Sequence, residues 1–374
     1  MSNHIPLIDL AAQQERIRNR LDAAVARVLD HGKYILGPEV QELEEKLAEF
    51  TGAKHVVTCA NGTDALSLVL MAEGIGRGDA VFVPSFTFVA TAEVVPGTGA
   101  TPVFVDVDPY TFTVDPSSLE AGLKKAKALG LQPKAIIAVD IFGLPANYPV
   151  LRQIASRERM VLIADAAQSF GSELSGRRTG GLADYTTTSF FPAKPLGCYG
   201  DGGAIFTDHT SRAEVLRSLR FHGKGEDKYD NVNIGLNSRL DTIQAAILLE
   251  KLAIFEGEIV NRNNIAAFYT EALSPHVFCQ KIPDGFKSVW AQYTITSEKR
   301  SRIEKVCREG GVATAIYYPI PMHLQTAYKK FPHVENAMKV SEEISRKAIS
   351  IPMYPSLSKM QIEKIVELVL DAVN

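Results

Sequence analysis

Residues 160–171 read MVLIADAAQSFG. An unbroken apolar run, Met160 to Ala164, stops at an acid, Asp165. A run this short and this apolar reads as a strand covered on both faces, which is the habit of mostly parallel sheets. The same pattern recurs at HVVTCA (55–60), AVFVPS (80–85), TPVFVDV (101–107), KAIIAVD (134–140), YTTTSFF (185–191) and GGAIFT (202–207). Helical stretches lie between some of these runs. In GPEVQELEEKLAEF (37–50), Val40, Leu43, Leu47 and Phe50 share one helical face and Pro38 suits the first turn. TDALSLVLMAEG (63–74) is more apolar and reads as a buried helix. Strands alternating with helices predict an α/β fold built on a mostly parallel, seven-stranded sheet.

The chain has 374 residues, enough for a large core and two domains. With 46% apolar and 22% charged residues it is of ordinary globular composition. A formal charge of −3 gives no field to draw nucleic acid or an anionic membrane. Cys59, Cys198, Cys279 and Cys307 are scattered and form no CxxC pair, so neither a disulfide framework nor a metal site is expected. That cysteine usage fits a reducing cytoplasm. The opening MSNHIPLIDLAAQQERIRNR lacks a basic segment followed by an apolar one, so it does not read as a signal peptide. No apolar run is long enough to span a bilayer.

Beyond residue 240 the pattern changes. DTIQAAILLEKLAIFEGEIVNRNN (241–264) reads as one long helix running into a second unit. AQYTITS (291–297) reads as a strand, and SRIEKVCREGG and KMQIEKIVELVLDAV as helices. This gives a large domain over 1–250 and a smaller α/β domain over 251–374, the N-terminal segment packing on the latter.

Three segments carry chemistry. In CANGTDAL (59–66) a strand ends, Asn-Gly turns and a helix begins; its free N–H groups and positive dipole end suit an anion. A plain N-cap by Thr63 or Asn61 explains that stretch equally well. In MVLIADAAQSFG, Asp165 ends a strand, where open α/β sheets place their ligands. Its carboxylate suits a cationic ring nitrogen, Ala167 leaves room for a flat ring, and Gln168 suits an oxygen on that ring; the bland alternative is an acid capping its own turn. In SFFPAKPLGCYGDGG (189–203), Lys194 stands between prolines and before a glycine-rich turn. Lysine amines form Schiff bases with carbonyl compounds when their pKa is lowered. A surface lysine is the commoner case, but Phe190, Phe191, Pro192 and Pro195 point to a packed site. Anion cradle, ring-nitrogen acid and Schiff-base lysine together describe a pyridoxal 5'-phosphate (PLP) site.

From PLIDLAAQQ through GKYILGPEVQELE, PSFTFVATAE, SFFPAKPLGCYGDGGA and GLNSRLDTIQAAIL to YYPIPMH and IPMYPSL, the chain resembles the DegT/DnrJ/EryC1/StrS sugar aminotransferases. The resemblance implies the aspartate-aminotransferase fold (fold type I) and PLP as cofactor. It implies that Lys194 forms the Schiff base and shuttles a proton, and that Asp165 keeps the pyridine nitrogen protonated. Gln168 would meet the ring hydroxyl and Phe88 would stack opposite Ala167. Gly62, Thr63 and Ser189 would bind the phosphate. Asn237 and Arg239, in GLNSRLD (235–241), would reach a neighbouring subunit's site in a homodimer, Asn237 toward the phosphate and Arg239 toward the sugar. Tyr317, Tyr318 and His323 are sugar-pocket candidates, and a core or surface histidine with no role explains His323 equally well.

Within the family the segments IDLAAQQ, AQYTI and YPIP are most similar to enzymes acting on UDP-2-acetamido-2-deoxy-3-oxo-glucuronate, with glutamate as donor, in surface polysaccharide synthesis. Tyr317 departs from them, since several relatives carry histidine there. The alternatives are 4-amination of a UDP- or dTDP-linked 4-keto-6-deoxy sugar, and a non-catalytic regulator with the same fold. A sugar dehydratase of the group would replace Lys194 with histidine. A dinucleotide-binding protein is disfavoured because no GxGxxG follows the first strand.

Overall fold

The computed structural model describes residues 4–374 apart from 228, 335 and 336. The strands are β1 (His55–Cys59), β2 (Asp79–Pro84), β3 (Thr101–Val105), β4 (Gln132–Val139), β5 (Val161–Asp165), β6 (Glu173–Leu174), β7 (Arg177–Arg178), β8 (Tyr185–Ser189), β9 (Gly203–Thr207), β10 (Phe278–Cys279), β11 (Phe286–Lys287), β12 (Tyr293–Thr296) and β13 (Ala348–Ile351). Helices α1 (Leu10–His31) and α2 (Pro38–Thr51) precede the sheet, α3 (Gly62–Ala72), α4 (Val89–Gly97), α5 (Pro116–Ala128) and α6 (Tyr148–Glu158) lie among its strands, and α7 (Thr210–Leu219) follows β9. Then come α8 (Thr242–Leu273), α9 (Arg300–Glu309), α10 (Lys339–Lys347) and α11 (Lys359–Val373).

Seven strands form the central sheet in the order β1-β9-β8-β5-β4-β2-β3. All pairs from β8 to β3 are parallel, and β9 runs antiparallel to both its neighbours. The reversal has a simple cause. Residues 190–202 between β8 and β9 form no helix, and a parallel return is usually made by a helical crossover. One consequence places the site: Gly203 stands opposite both Cys59 and Ser189. The ends of β1 and β8 therefore meet across one glycine. A Cβ on Gly203 would sit 2.4 Å from the Asn61 carbonyl oxygen, so only glycine fits there.

The parallel strands β2 to β5 bury both faces as their runs imply: Phe82, Val103, Ile137 and Leu162 have no exposed surface. The smaller unit has its own core, with Tyr293, Ile295, Ile349 and Ile365 packed on Ile265 and Tyr269 of α8. The same helix gives Ala245, Leu248 and Phe255 to the core beneath the large sheet. Phe255 there stacks on Phe170 at 5.7 Å between ring centres, and burying such rings stabilises by about 2–3 kcal/mol each. Residues 250 and 251 lie inside α8, so the chain passes between units without a break. The N-terminal segment joins the smaller unit: Ile5 N–H donates to the Gly311 carbonyl at 2.8 Å. All four cysteines are buried and free. Among the described residues no helix is long and apolar enough to cross a membrane.

Candidate active site

A cavity of about 680 Å³ opens at the carboxyl ends of the parallel strands. Its walls come from the β1–α3 turn, the β2–α4 junction, the ends of β5 and β8, the loop after β8, and the segment around Tyr317. Nine of the residues singled out from sequence line it: Gly62, Thr63, Phe88, Asp165, Gln168, Ser189, Lys194, Tyr317 and Tyr318.

At the β1–α3 turn, Asn61 is the N-cap: its side-chain oxygen accepts from Asp64 N–H at 2.8 Å. The capping task therefore falls to Asn61 and leaves the Thr63 hydroxyl to the cavity. The first N–H groups of a helix have no intrahelical partner, so those of Gly62 and Thr63 suit an anion. A Cβ on Gly62 would lie 2.8 Å from Ser189 Cβ. Glycine here lets the helix terminus close on the Ser189 hydroxyl.

Asp165 is buried, and burial pushes its carboxyl above the usual carboxylate range. Three effects oppose burial: the Thr91 hydroxyl donates to Oδ2 at 2.7 Å, Ala167 N–H donates to Oδ1 at 3.2 Å, and Lys194 contributes its positive charge. Thr91 in turn shares a 3.0 Å bond with Thr87, which lines the cavity. Thus Asp165 does bond its own turn, as a plain capping acid would, and also faces the cavity. Lys194 is held by the turn in which its N–H donates to the Phe191 carbonyl at 2.9 Å. Burial lowers its amine pKa, while Asp165 pulls the other way. Gly197 shows why glycine follows this lysine: a Cβ there would be 2.6 Å from the carbonyl oxygens of both Phe191 and Pro192, where the chain folds back on itself.

Gln168 accepts from the Phe142 N–H at 2.6 Å and donates to the Tyr318 hydroxyl at 2.9 Å. Phe88 is half exposed and lies 6.1 Å from the Tyr318 ring. Tyr317 packs beside Tyr318, their ring centres 5.7 Å apart.

Three of the residues singled out stand apart from the cavity wall. His323 is buried against Ser85, whose Oγ lies 2.6 Å from Nδ1, while Nε2 is 3.3 Å from Glu342. It supports the segment after β2 from behind, because the chain enters a short 3-10 turn at Met322 and carries His323 away from the tyrosines. Asn237 is exposed, and the Arg239 guanidinium lies over the Phe221 ring at 5.2 Å. Sequence reasoning passed over Thr87, Thr91, Asp201 and Gln292, of which all but Thr91 line the cavity. The spacing of Thr87 and Thr91, one helical turn apart where a strand gives way to a helix, was the available signal. Among the described residues no cluster of His, Cys, Asp and Glu suits a metal ion.

A buried amine of lowered pKa, a carboxylate sensing its charge, and a helix N-terminus thus share one cavity. That set can make an imine, hold a cationic ring nitrogen and bind a phosphate.

The family model of the DegT/DnrJ/EryC1/StrS aminotransferases matches residues 15–370. The chain is 46% identical over 368 residues, 96% of this chain and 98% of the other, to the UDP-2-acetamido-2-deoxy-3-oxo-D-glucuronate aminotransferase of Pseudomonas aeruginosa. The crystal structure of a DegT DnrJ EryC1 StrS aminotransferase from Brucella abortus superposes with a TM-score of 0.98 at 52% identity, covering 99% of this chain and 100% of that one. A Bacillus subtilis protein, NtdA, whose structure carries bound cofactor PMP, superposes with a TM-score of 0.87 at 28% identity, covering 98% of this chain and 83% of that one. With its fold, its lysine-bearing cavity and a family match over nearly all its length, the chain belongs to the DegT/DnrJ/EryC1/StrS aminotransferase family.

Proposed function

We propose that the chain is a PLP-dependent aminotransferase of a nucleotide-linked keto-sugar. The observation that carries this reading is the shared cavity of Lys194 and Asp165, each sensing the other's charge, beside the free N-terminus of α3. PLP fits the residues present. The free N–H groups of Gly62 and Thr63 and the hydroxyls of Thr63 and Ser189, which line the cavity together, suit its phosphate. Asp165 suits the pyridinium nitrogen and Lys194 the aldehyde, with Phe88 and Ala167 on the two ring faces and Gln168 at the ring oxygen. When bound, PLP supplies an electron sink that makes a proton on an attached amine carbon acidic. The chain's own part is to hold and move. Lys194, its amine more readily neutral because it is buried, would hold the aldehyde and would take and return that proton. The hydrogen bonds from Thr91 and Ala167 favour the ionised form of Asp165 against its burial, and that carboxylate would hold the ring nitrogen in its charged form.

The substrate we assign is UDP-2-acetamido-2-deoxy-3-oxo-glucuronate, with glutamate as amino donor, in surface polysaccharide synthesis in the cytoplasm. What supports the sugar is the 46% identity to the Pseudomonas enzyme of that name. We further infer a homodimer with shared sites. Among the described residues that line the cavity, Lys194 is the one cation, alongside Asp64, Asp165 and Asp201. A phosphate, a diphosphate and a sugar carboxylate need more positive charge than that. Arg239 and Asn237 lie outside this chain's own cavity, so we assign them to a partner's site, in keeping with the isologous dimer as the commonest arrangement.

Lys194→Ala tests the reading: it removes the amine and leaves the fold. Transamination by that variant above a no-enzyme control would sink the assignment.

A further inference from the structure

The orientation of the Gln168 side-chain amide is decided by its partners. Oε1 accepts from a backbone N–H, that of Phe142, which can only donate. Nε2 must therefore face the cavity, and it donates to Tyr318. Because the Tyr318 oxygen accepts there, its own proton is left for another acceptor, and Tyr318 lines the cavity.

The Phe142 N–H is held in place at a cost. Phe142 has φ of 60°, in the left-handed region, inside a 3-10 turn (Ile141–Gly143). Non-glycine residues stay there only when their surroundings over-determine them. Here the surroundings centre on Asp140, which has no exposed surface. Its Oδ1 accepts from Ala146 N–H at 2.8 Å and from the Tyr148 hydroxyl at 2.7 Å. Its Oδ2 accepts from the Ser169 hydroxyl at 2.6 Å. Ser169 is the chain neighbour of Gln168, and Asp140 begins the turn that carries Phe142. One carboxylate thus ties down both halves of the Phe142–Gln168 bond. Gln280, from the segment after β10, braces the same turn by donating to the Ile141 carbonyl at 3.4 Å. The titratable groups around Asp140 are Tyr148 from α6 and Asp165 from β5, and among the described residues no cation offsets its burial. Burial pushes its carboxyl up to about 7.

We propose that Asp140 is a positioning residue that fixes the Gln168 amide so that Gln168 and Tyr318 present donors, not acceptors, to an anionic ring oxygen of a cofactor bound at Lys194. This rests on the PLP reading above. Donors on that oxygen weaken its hold on the proton it shares with the neighbouring nitrogen, so they lower the pH at which the proton leaves.

The test is a pH titration of the visible band of the PLP-loaded protein. Gln168→Leu is expected to raise its midpoint by about one pH unit, the effect of losing a hydrogen bond to a charged atom. Asp140→Asn and Ser169→Ala are expected to raise it by roughly half that, with thermal unfolding showing the fold retained. On a Gln168→Leu background, Asp140→Asn is expected to add nothing. Should Asp140→Asn not fold, Ser169→Ala carries the test alone. A midpoint unchanged by Asp140→Asn and Ser169→Ala while Gln168→Leu moves it overturns the role of Asp140 and leaves the site reading standing. An equal shift on the Gln168→Leu background overturns it too, since Asp140 then acts by another route. No visible band in the loaded native protein would fail both readings together.

Discussion

Thr91→Val probes the electrostatics under the cofactor ring. Thr91 has no exposed surface and gives its hydroxyl proton to Asp165 Oδ2 at 2.7 Å. Valine keeps the shape and replaces the hydroxyl with a methyl. Asp165 then keeps one donor, Ala167 N–H, at the longer distance of 3.2 Å. A hydrogen bond to a charged group contributes about 1.5–3 kcal/mol, so the ionised form of Asp165 becomes roughly ten- to a hundredfold less favoured. The sign follows from chemistry: the lost bond favoured the charged carboxylate, so burial gains ground and the carboxyl is protonated at higher pH. A neutral Asp165 no longer holds a pyridinium nitrogen. The acid limb of kcat/KM is expected to move up by about one pH unit or more, with cofactor lost on dialysis at a pH where the native protein retains it. Thr91→Ser keeps the hydroxyl and should restore most of both. If Thr91→Val shows the native acid limb and native cofactor retention, Thr91 is not what keeps Asp165 charged.

Three further outcomes follow from the geometry. Gly62→Ala puts a Cβ 2.8 Å from Ser189 Cβ; an overpacking cost of about 1–3 kcal/mol should weaken PLP binding several- to a hundredfold, measured by spectral titration, and native affinity would count against the cradle. Lys251, buried in α8 with its Nζ 4.9 Å from the Tyr199 ring centre, has its pKa pushed down by burial to about 8. The folded state thus resists its charge, a penalty full below pH 8 and gone above the unfolded value near 10.5. Lys251→Met should therefore add up to roughly 3 kcal/mol of stability at pH 7 and nothing by about pH 10.5 in denaturant melts; a gain equal at both would refute the cause. Asn237→Ala, though outside this chain's own cavity, should weaken cofactor retention if it completes a partner's site, and unchanged retention would speak against shared sites.

The parallel strands were legible because burial on both faces leaves an unbroken apolar run, as in Met160 to Ala164. The direction of β9 was not, since GGAIFT has the same composition whichever way it runs. Strands of two residues, such as β6 and β11, are too short to leave a pattern. The end of α8 at Leu273 lay beyond the expected 264 because that helix meets different neighbours along its length and so lacks one apolar stripe. At the site, Lys194 and Asp165 could be found from sequence because a lysine set between prolines, an acid ending a strand and a glycine turn opening a helix occur together in one chain. Thr91 and Asp140 could not: a threonine in an apolar helix and an aspartate at a strand end are commonplace, and only their partners in space reveal their task. His323 looked like part of the tyrosine wall because it follows closely in sequence, and the turn at Met322 undoes that proximity.

The central claim is that this cavity exchanges an amino group between an amino acid and a nucleotide sugar. The most direct test is a spectral titration of the PLP-loaded protein with UDP-2-acetamido-3-amino-2,3-dideoxy-glucuronate, with glutamate in a separate cuvette. The expected result is that each converts the visible band to that of the pyridoxamine form. A band that glutamate shifts and the 3-amino sugar leaves untouched would contradict the sugar assignment. A band that neither shifts would contradict aminotransfer itself.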